Sequence, residues 1–523
     1  MANKYLVDFN IEPMRDGLSS VKLSQKFIPV KYVVTIIILA FMILGCLDRN
    51  SILTTDEKIG YDKMLSILVD SSLKSHITLT EEGTTSQGRK IFLVNLNTGN
   101  RNGKQTKVFL YGLQHGDEIS GRDALIGLIR DIANKPSLLN HSVDLFVLPS
   151  LNPDGGEKNE RRNGMKVDLN RDHQLLSQIE TRILYRITQK ILPDIAVDFH
   201  EYNRTGSSYT NADLLKWADI TMDICNNPLF SKEIYAAGLS WIASQEDAMK
   251  KRGINFSRYF VGGAPPDEEI RPSTTDIDDG RNGVGSYGAV SFIVETGVYW
   301  SYPDPYFDLN KRITANRILI NNLLNDNRFL KISKQLANDS RNAPLPDFIP
   351  VNYFWGSCGV KENSVKVMDT ENNGSVIKTA NMMTDLIVKK TVRRPEAYII
   401  GSNYSEIFTS FLSSHGIEFE IIPEDREFKV EDCYQEEMLL DFDKIHQRYA
   451  GRQIVSLDDP IKTIYQRGAL LVKLKPGHSS IRAIAHLEPS MIFGLYHWDN
   501  FAKTIDETGK MPVSRVTSLN PSE

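Results

Sequence analysis

An α/β fold is predicted for residues 51–340, with a mixed, largely parallel sheet covered by helices on both faces. Three observations predict it. Short apolar runs alternate with stretches of helical spacing along this part of the chain. The runs are apolar throughout, as strands buried on both faces are. They end in polar turns where chemistry-bearing residues gather, and in such sheets ligands bind outside the carboxyl ends of the strands.

The elements follow in order. Lys90–Leu96 reads as a strand followed by a polar loop at 97–103. Residues 108–113 form a second, buried strand, and helical spacing starts near Ser120 and runs to about Ala133. Val143–Leu148 is a strand that stops at Pro149. From 177 to 191, Ile179, Ile183, Leu184, Ile187 and Ile191 share one helix face, and Pro193 ends the pattern. Residues 195–199 and 290–294 are further strands. The stretch 341–350 holds three prolines and reads as a linker. Residues 351–523 then form a smaller C-terminal accessory domain, α/β or β-rich, with strands near Ala397–Ile400, 418–422 and 469–474 and a helix near Ser405–Ser414. It shows no catalytic pattern, and its last twenty or so polar residues are expected to fray.

A chain of 523 residues holds two or three such domains. The net charge of −5, from 61 basic and 66 acidic residues, gives nucleic acid no reason to bind. The cysteines, Cys46, Cys225, Cys358 and Cys433, form no C-x-x-C pair, so neither cysteine zinc ligation nor a disulfide framework is expected.

Residues 1–50 read as a targeting segment. The uncharged apolar run 33–44 follows Lys31 and is shorter than the ~20 residues of a spanning helix, which suits a signal peptide. Ile43-Leu-Gly-Cys46 resembles a bacterial lipobox, in which the cysteine is lipidated. The first 29 residues are too polar for a signal peptide, with Asp8, Glu12, Arg15 and Asp16, and a true start at Val30 would explain them. An uncleaved anchor is the alternative. Both place the rest of the chain outside the cytoplasm, at the membrane of a bacterial cell envelope.

The chemistry gathers at strand ends. His115-Gly-Asp-Glu118 offers an imidazole and a carboxylate from one strand-to-helix turn. A catalytic zinc typically takes three protein ligands, His2Glu among the documented sets, and leaves the fourth position to water. Four later features join it: Asn152-Pro-Asp-Gly155, the loop from Glu160 to Arg171, His200 after a strand, and Glu295 ending another. Each has an ordinary reading. The His115–Glu118 spacing arises by chance in solvent-facing turns, and His200 suits a satisfied core histidine. A carboxylate ending an apolar strand is costly unless paired or functional, and Arg281 is the competing partner for Glu295. Asp198 either orients a ligand or faces the surface. Arg162 suits a rim contact, and Asp276, Asp278 and Asp279 suit a solvated loop better than a pocket for basic side chains. His141, His173, His478, His486 and His497 lack ligand spacing and are taken as structural.

Together these pieces resemble the zinc carboxypeptidases of the carboxypeptidase A type, in a bacterial exported form, across roughly residues 60–330. They come in the family's order: H-x-x-E, N-P-D-G, R-x-N with D-x-N-R, strand-His, strand-Glu. The resemblance implies a metallocarboxypeptidase with one Zn2+ on His115, Glu118 and His200. It implies Glu295 as general base and Arg161 as the carbonyl-polarising arginine, Arg161 being chosen over Arg162 because Arg161-Arg-Asn163 reproduces R-x-N. It makes Asn170 and Arg171 the clamp for a peptide's free C-terminal carboxylate. Three departures stand out. Asp117 replaces the arginine of the digestive enzymes, Asp172-His173 replaces the usual Asn-Phe, and the family's mobile tyrosine has no clear counterpart, with Ser273 near its spacing and Tyr287 too close to Glu295. A cell-wall peptidase or amidase using the same site, and a non-catalytic peptide-binding protein on a peptidase fold, are the alternatives.

Overall fold

The computed structural model describes residues 59–98, 105–299, 308–357, 364–372, 374–443 and 448–520. The segment 1–50 that is expected to target the chain, with the run 33–44 and Cys46, lies outside the described residues, as do Cys358 and most of the 97–103 loop. Among the described residues no helix is long and apolar enough to cross a membrane.

The central sheet has eight strands in the spatial order Ile77–Thr84, Lys90–Leu96, Val143–Leu148, Thr106–Gly112, Ile195–Asn203, Val290–Val298, Ile220–Ile224, Phe256–Arg258. The middle four are mutually parallel. Antiparallel pairs flank them, and the edge strand Phe256–Arg258 is again parallel to its neighbour. The sheet is thus mixed with a parallel centre, as predicted.

Side-chain alternation explains why both faces are apolar. Val108 and Leu110 join a core with Leu125 and Ile129 of the helix Ile119–Asn134 and with Leu319 and Leu323 of the helix Leu309–Asn325. Phe109 and Tyr111 enter a different core, with Ile183, Leu184 and Ile187 of the helix Ile179–Ile191. The first contact surface is tight. A Cβ on Gly121 would stand 2.5 Å from the Cβ of Phe199, which is anchored in its strand. Gly121→Val is therefore expected to lower unfolding stability by about 3 kcal/mol, the upper part of the overpacking range. Gly206→Ala, where a Cβ meets nothing within 4 Å, is the control in the same urea titration.

The same alternation sorts the functional residues. Ile195, Val197 and Phe199 face the first core and Ala196 the second, so Asp198 and His200 fall on the second face. Val290, Phe292 and Val294 face the first core, which turns Glu295 toward the side of His200. Both strands continue past their predicted ends, to Asn203 and Val298. His200 and Glu295 therefore lie within strands rather than after them. The cause is the parallel ladder, which pairs Glu295 with His200 and runs on to Val298 with Asn203; it holds polar residues whose own preference is for loop.

The C-terminal part is β-rich. Its main sheet is antiparallel, in the order Glu420–Ile421, Leu470–Lys473, Ala397–Ile400, Val513–Ser518, Arg426–Glu431, Ile461–Tyr465. The expected fraying of the tail is overturned, because Val513–Ser518 is an interior strand paired on both edges. Its polar residues are satisfied internally: Asp432 accepts from Ser514, and Glu431 and Glu488 pair with Arg515. The predicted linker is partly structured, since the helix Asn327–Asn342 enters it and the strand Phe348–Gly356 begins inside it. Two further pairings tie this part to earlier residues: Ser364–Asp369 with Leu214–Lys216, and Asn381–Met382 with Glu269–Arg271.

Candidate metal centre and catalytic site

The turn that carries His115 and Glu118 is shaped by backbone constraints. Leu113 takes the left-handed conformation, with φ 56°, as the chain leaves the strand Thr106–Gly112. Gly116 then passes so close to the next turn that a Cβ would lie 2.0 Å from the carbonyl carbon of Gly155. The Glu118 N–H donates to the His115 carbonyl at 3.2 Å, and the helix begins at Ile119. His200 arrives from the adjacent parallel strand.

The three side chains converge. His115 Nδ1 lies 2.8 Å from Glu118 Oε1, His200 Nδ1 lies 2.8 Å from Glu118 Oε2, and the two Nδ1 atoms are 3.2 Å apart. All three residues are buried, with one donor atom from each lying within 4.8 Å of the others. Nitrogens about 2.0–2.1 Å from a tetrahedral zinc stand roughly 3.3 Å apart. The histidine pair already fits, and the carboxylate needs only a small opening. The far ring nitrogens are held by carboxylates: His115 Nε2 by Asp168 at 3.1 Å and His200 Nε2 by Asp198 at 3.0 Å. Such partners fix ring orientation and raise ligand basicity. Asp198 is thus a buried orienting partner, not a surface residue.

The electrostatics favour a cation. Burial alone would raise the Glu118 pKa, but the two imidazoles outweigh it and hold the carboxyl well below its usual range. Burial alone would lower both histidines. Glu118 and Asp168 raise His115 instead, and Asp198 and Glu118 raise His200 far more. Protons shared between imidazoles and carboxylates are what a bound dication displaces.

Glu295 is buried in this surrounding. Burial, with Glu118 adding to it, lifts its carboxyl to about 7 against the pull of His200, His115 and Arg161. The competing pair with Arg281 does not form. Arg281 bonds Asp279 at 3.0 Å, Asp223 at 3.3 Å and the Thr274 carbonyl at 2.6 Å. The Tyr259 phenol lies beside Glu295, and burial and then Glu295 raise its pKa well above the ordinary value. Its N–H donates to Met222 at 2.9 Å, which fixes it at the sheet edge. Spacing along the chain did not point to Tyr259; the pairing of Phe256–Arg258 with Ile220–Ile224 brings it in.

The loop residues fall as follows. Arg161 donates to Asp168 Oδ2 through Nε at 3.0 Å, while its Nη1 stands 3.3 Å from Glu118 and 3.1 Å from His115. Arg162 is turned away, donating to the Lys166 carbonyl at 3.3 Å. Asn170 Oδ1 accepts from the Gly280 N–H at 2.8 Å, and its Nδ2 lies 3.5 Å from His200 Nε2. Arg171 Nη1 donates to the Asn170 carbonyl at 2.5 Å. His173, which spacing gave no site role, braces the centre from behind. Its Nε2 contacts Gln114 Oε1 at 2.8 Å, and Gln114 Nε2 donates to Asp198 at 2.6 Å. Burial lowers the His173 pKa to about 3, so the ring is neutral and donates. The solvated loop expected at Asp276, Asp278 and Asp279 is instead buried. Asp278 accepts from the Gln174 N–H at 3.0 Å, and Asp279 caps the helix Gly280–Gly285 through Asn282 N at 2.7 Å.

Residues 68–211 match the family model described as zinc carboxypeptidase. Over this stretch the chain is similar to a zinc carboxypeptidase domain. The matched stretch contains all three convergent side chains, together with Arg161, Asn170 and Arg171. Carboxypeptidase 2 of Trichophyton equinum is 28% identical over 238 residues, 42% of this chain and 41% of that protein. Carboxypeptidase SOL1 of Arabidopsis thaliana is 40% identical over 67 residues, 12% of this chain and 14% of that one. The chain thus spans under half the length of these curated relatives. Among solved structures, a metallo-carboxypeptidase from Burkholderia cenocepacia superposes with a TM-score of 0.38 at 17% identity, covering 49% of this chain and 68% of that one. Carboxypeptidase A from Helicoverpa armigera gives 0.38 at 16% identity, with 59% and 81% covered. Glu295 and Tyr259 lie beyond the stretch that the family model matches, so their place beside His115, Glu118 and His200 rests on the fold.

Proposed function

We propose that the protein is a zinc metallocarboxypeptidase that removes the C-terminal residue of peptides. The observation that carries this reading is the convergence of His115, Glu118 and His200 with Glu295 paired directly opposite His200 on the neighbouring strand. The three donors meet at one point, which suits a single ion. Zinc held by His115, Glu118 and His200 would supply Lewis acidity and a water of pKa about 7. Glu295 would accept a proton at its carboxylate and return it to the leaving amine. Arg161 holds the developing oxyanion, a contact whose loss typically costs about 10²–10³ in rate. Asn170 and Arg171 hold the substrate's terminal carboxylate, for which a planar guanidinium is suited.

Zinc analysis combined with an assay for C-terminal residue release tests the reading; a zinc-loaded protein that releases nothing from a mixed peptide and cell-wall peptide library defeats it. The clamp has its own test. Arg171→Ala removes charge-assisted hydrogen bonds of about 1.5–3 kcal/mol, so KM for free-carboxylate peptides is expected to rise about 10- to 100-fold. Binding of C-terminally amidated peptides to the same variant is expected to change little. We also propose that residues 1–50 export and anchor the protein, on the strength of the run 33–44 and Cys46. Fatty-acid labelling that depends on Cys46 tests this.

A further inference from the structure

The clamp residues sit on a loop that starts at Asp168 and ends at Gln174. Gln174 is 2% exposed, and each of its polar groups is bonded. Its N–H donates to Asp278 Oδ1 at 3.0 Å, and its carbonyl accepts from His415 Nε2 at 2.9 Å. Its Oε1 accepts from Trp498 Nε1 at 2.7 Å, and its Nε2 donates to the Phe493 carbonyl at 3.1 Å. Three of these four partners come from the C-terminal part, which has no catalytic pattern of its own.

The block behind Gln174 is closely packed. The His415 ring packs 4.1 Å from that of His486 and 4.6 Å from that of Phe411. The His415 carbonyl accepts from Arg482 Nε and from the Tyr287 hydroxyl, both at 2.9 Å. On the other side, the loop leads into the centre by two short routes. One runs from the neighbouring His173 through Gln114 and Asp198 to His200. The other runs from Asp278 along the chain to Gly280, whose N–H holds Asn170. Asp172 is tied separately to Ser177, Gln178 and Thr181, so the loop keeps its own fold when Gln174 loses a partner.

We propose that Gln174 is a positioning residue through which the C-terminal part holds the Asn170–Arg171 clamp in place for the substrate carboxylate. The inference rests on the carboxypeptidase reading. It assigns a role to residues 405–501 that the catalytic residues alone do not require. Its signature is on substrate affinity rather than on the chemical step.

The test uses the full-length, zinc-loaded protein with Gln174→Met, Trp498→Phe and the double substitution. The expected result is a 5- to 30-fold rise in KM for a free-carboxylate peptide, with kcat within about threefold and zinc content unchanged. Calorimetric binding of the same peptide to these variants in a Glu295→Gln background is expected to weaken by the same factor, and the two single effects should not add, because they share one bond. Trp498→Phe keeps an aromatic ring at a buried core position and carries the test should Gln174→Met prove insoluble. A soluble, zinc-loaded Trp498→Phe protein that loses thermal stability but keeps its KM and its peptide affinity overturns the proposal. Wild-type protein that neither cleaves nor binds the peptide overturns the carboxypeptidase reading and this inference with it.

Discussion

Glu295→Gln is expected to lower kcat/KM for C-terminal residue release by about 10²–10⁴ while zinc content stays unchanged. The substitution keeps the shape of the side chain and removes its capacity to accept a proton. Glu295 faces the centre from the strand beside His200 and is not among the convergent donors, so metal binding has no reason to fail. The pH dependence follows with a definite sign. A base works ionised, so activity should fall as pH drops through the Glu295 pKa. That value is about 7 in the metal-free protein, and a bound dication lowers it, which moves the acid limb below 7 in the loaded enzyme. Stability of the metal-free protein carries the opposite signature. The folded carboxyl holds its proton up to about 7 and the unfolded one only to its ordinary value of 4.5. Between those limits the folded state binds more protons, so this contribution is full below about 4.5 and is lost as pH rises through 7. Metal-free Glu295→Gln should therefore lose less stability than metal-free wild type between pH 5 and pH 8, measured by denaturant titration.

The second large effect is expected at His200. His200→Ala removes one of the convergent donors, leaves Asp198 buried without its imidazole partner and leaves Glu118 with that of His115 alone. Zinc should no longer purify with the protein, and peptide release should fall to background. Asp198→Ala is the graded comparison: loss of an orienting partner typically costs 10–100-fold in metal affinity, so that variant should regain activity when zinc is raised and His200→Ala should not. Stripping the wild-type protein with a chelator should abolish release and zinc should restore it. Zinc at about 1,000 times its dissociation constant should also add about 4 kcal/mol of folding stability, read as a rise in Tm.

The parts of the fold that the sequence disclosed were those written in one continuous signal. Buried strands such as Val143–Leu148 and the amphipathic helix Ile179–Ile191 carry their periodicity locally, and they lie where it placed them. The ends of the strands carrying His200 and Glu295 were not legible, because the ladder between them overrides the local preference of polar residues. The tail strand Val513–Ser518 was not legible for the complementary reason, since its polar side chains find buried partners that no neighbouring residue announces. In the site, motif order carried His115, Glu118, His200, Arg161, Asn170 and Arg171, all within the stretch that matches the family. Tyr259, Gln114 and Gln174 carry no motif. Each matters through partners far away in sequence, as the 324 residues between Gln174 and Trp498 illustrate.

The register that sets Glu295 opposite His200 has a practical consequence for redesign. Adjacent strands lie about 4.7–4.9 Å apart, so the backbone itself spaces Glu295 from His200, whatever the loops around them do. The exposed stretches 210–213 and 266–269 can be varied without touching Tyr259 or Asp278, and the spacing between Glu295 and His200 is left where the hydrogen-bonded sheet puts it. Under the proposed function, variation in what is cut and preservation of how it is cut fall to different kinds of backbone, which makes such exposed stretches the natural place for library design.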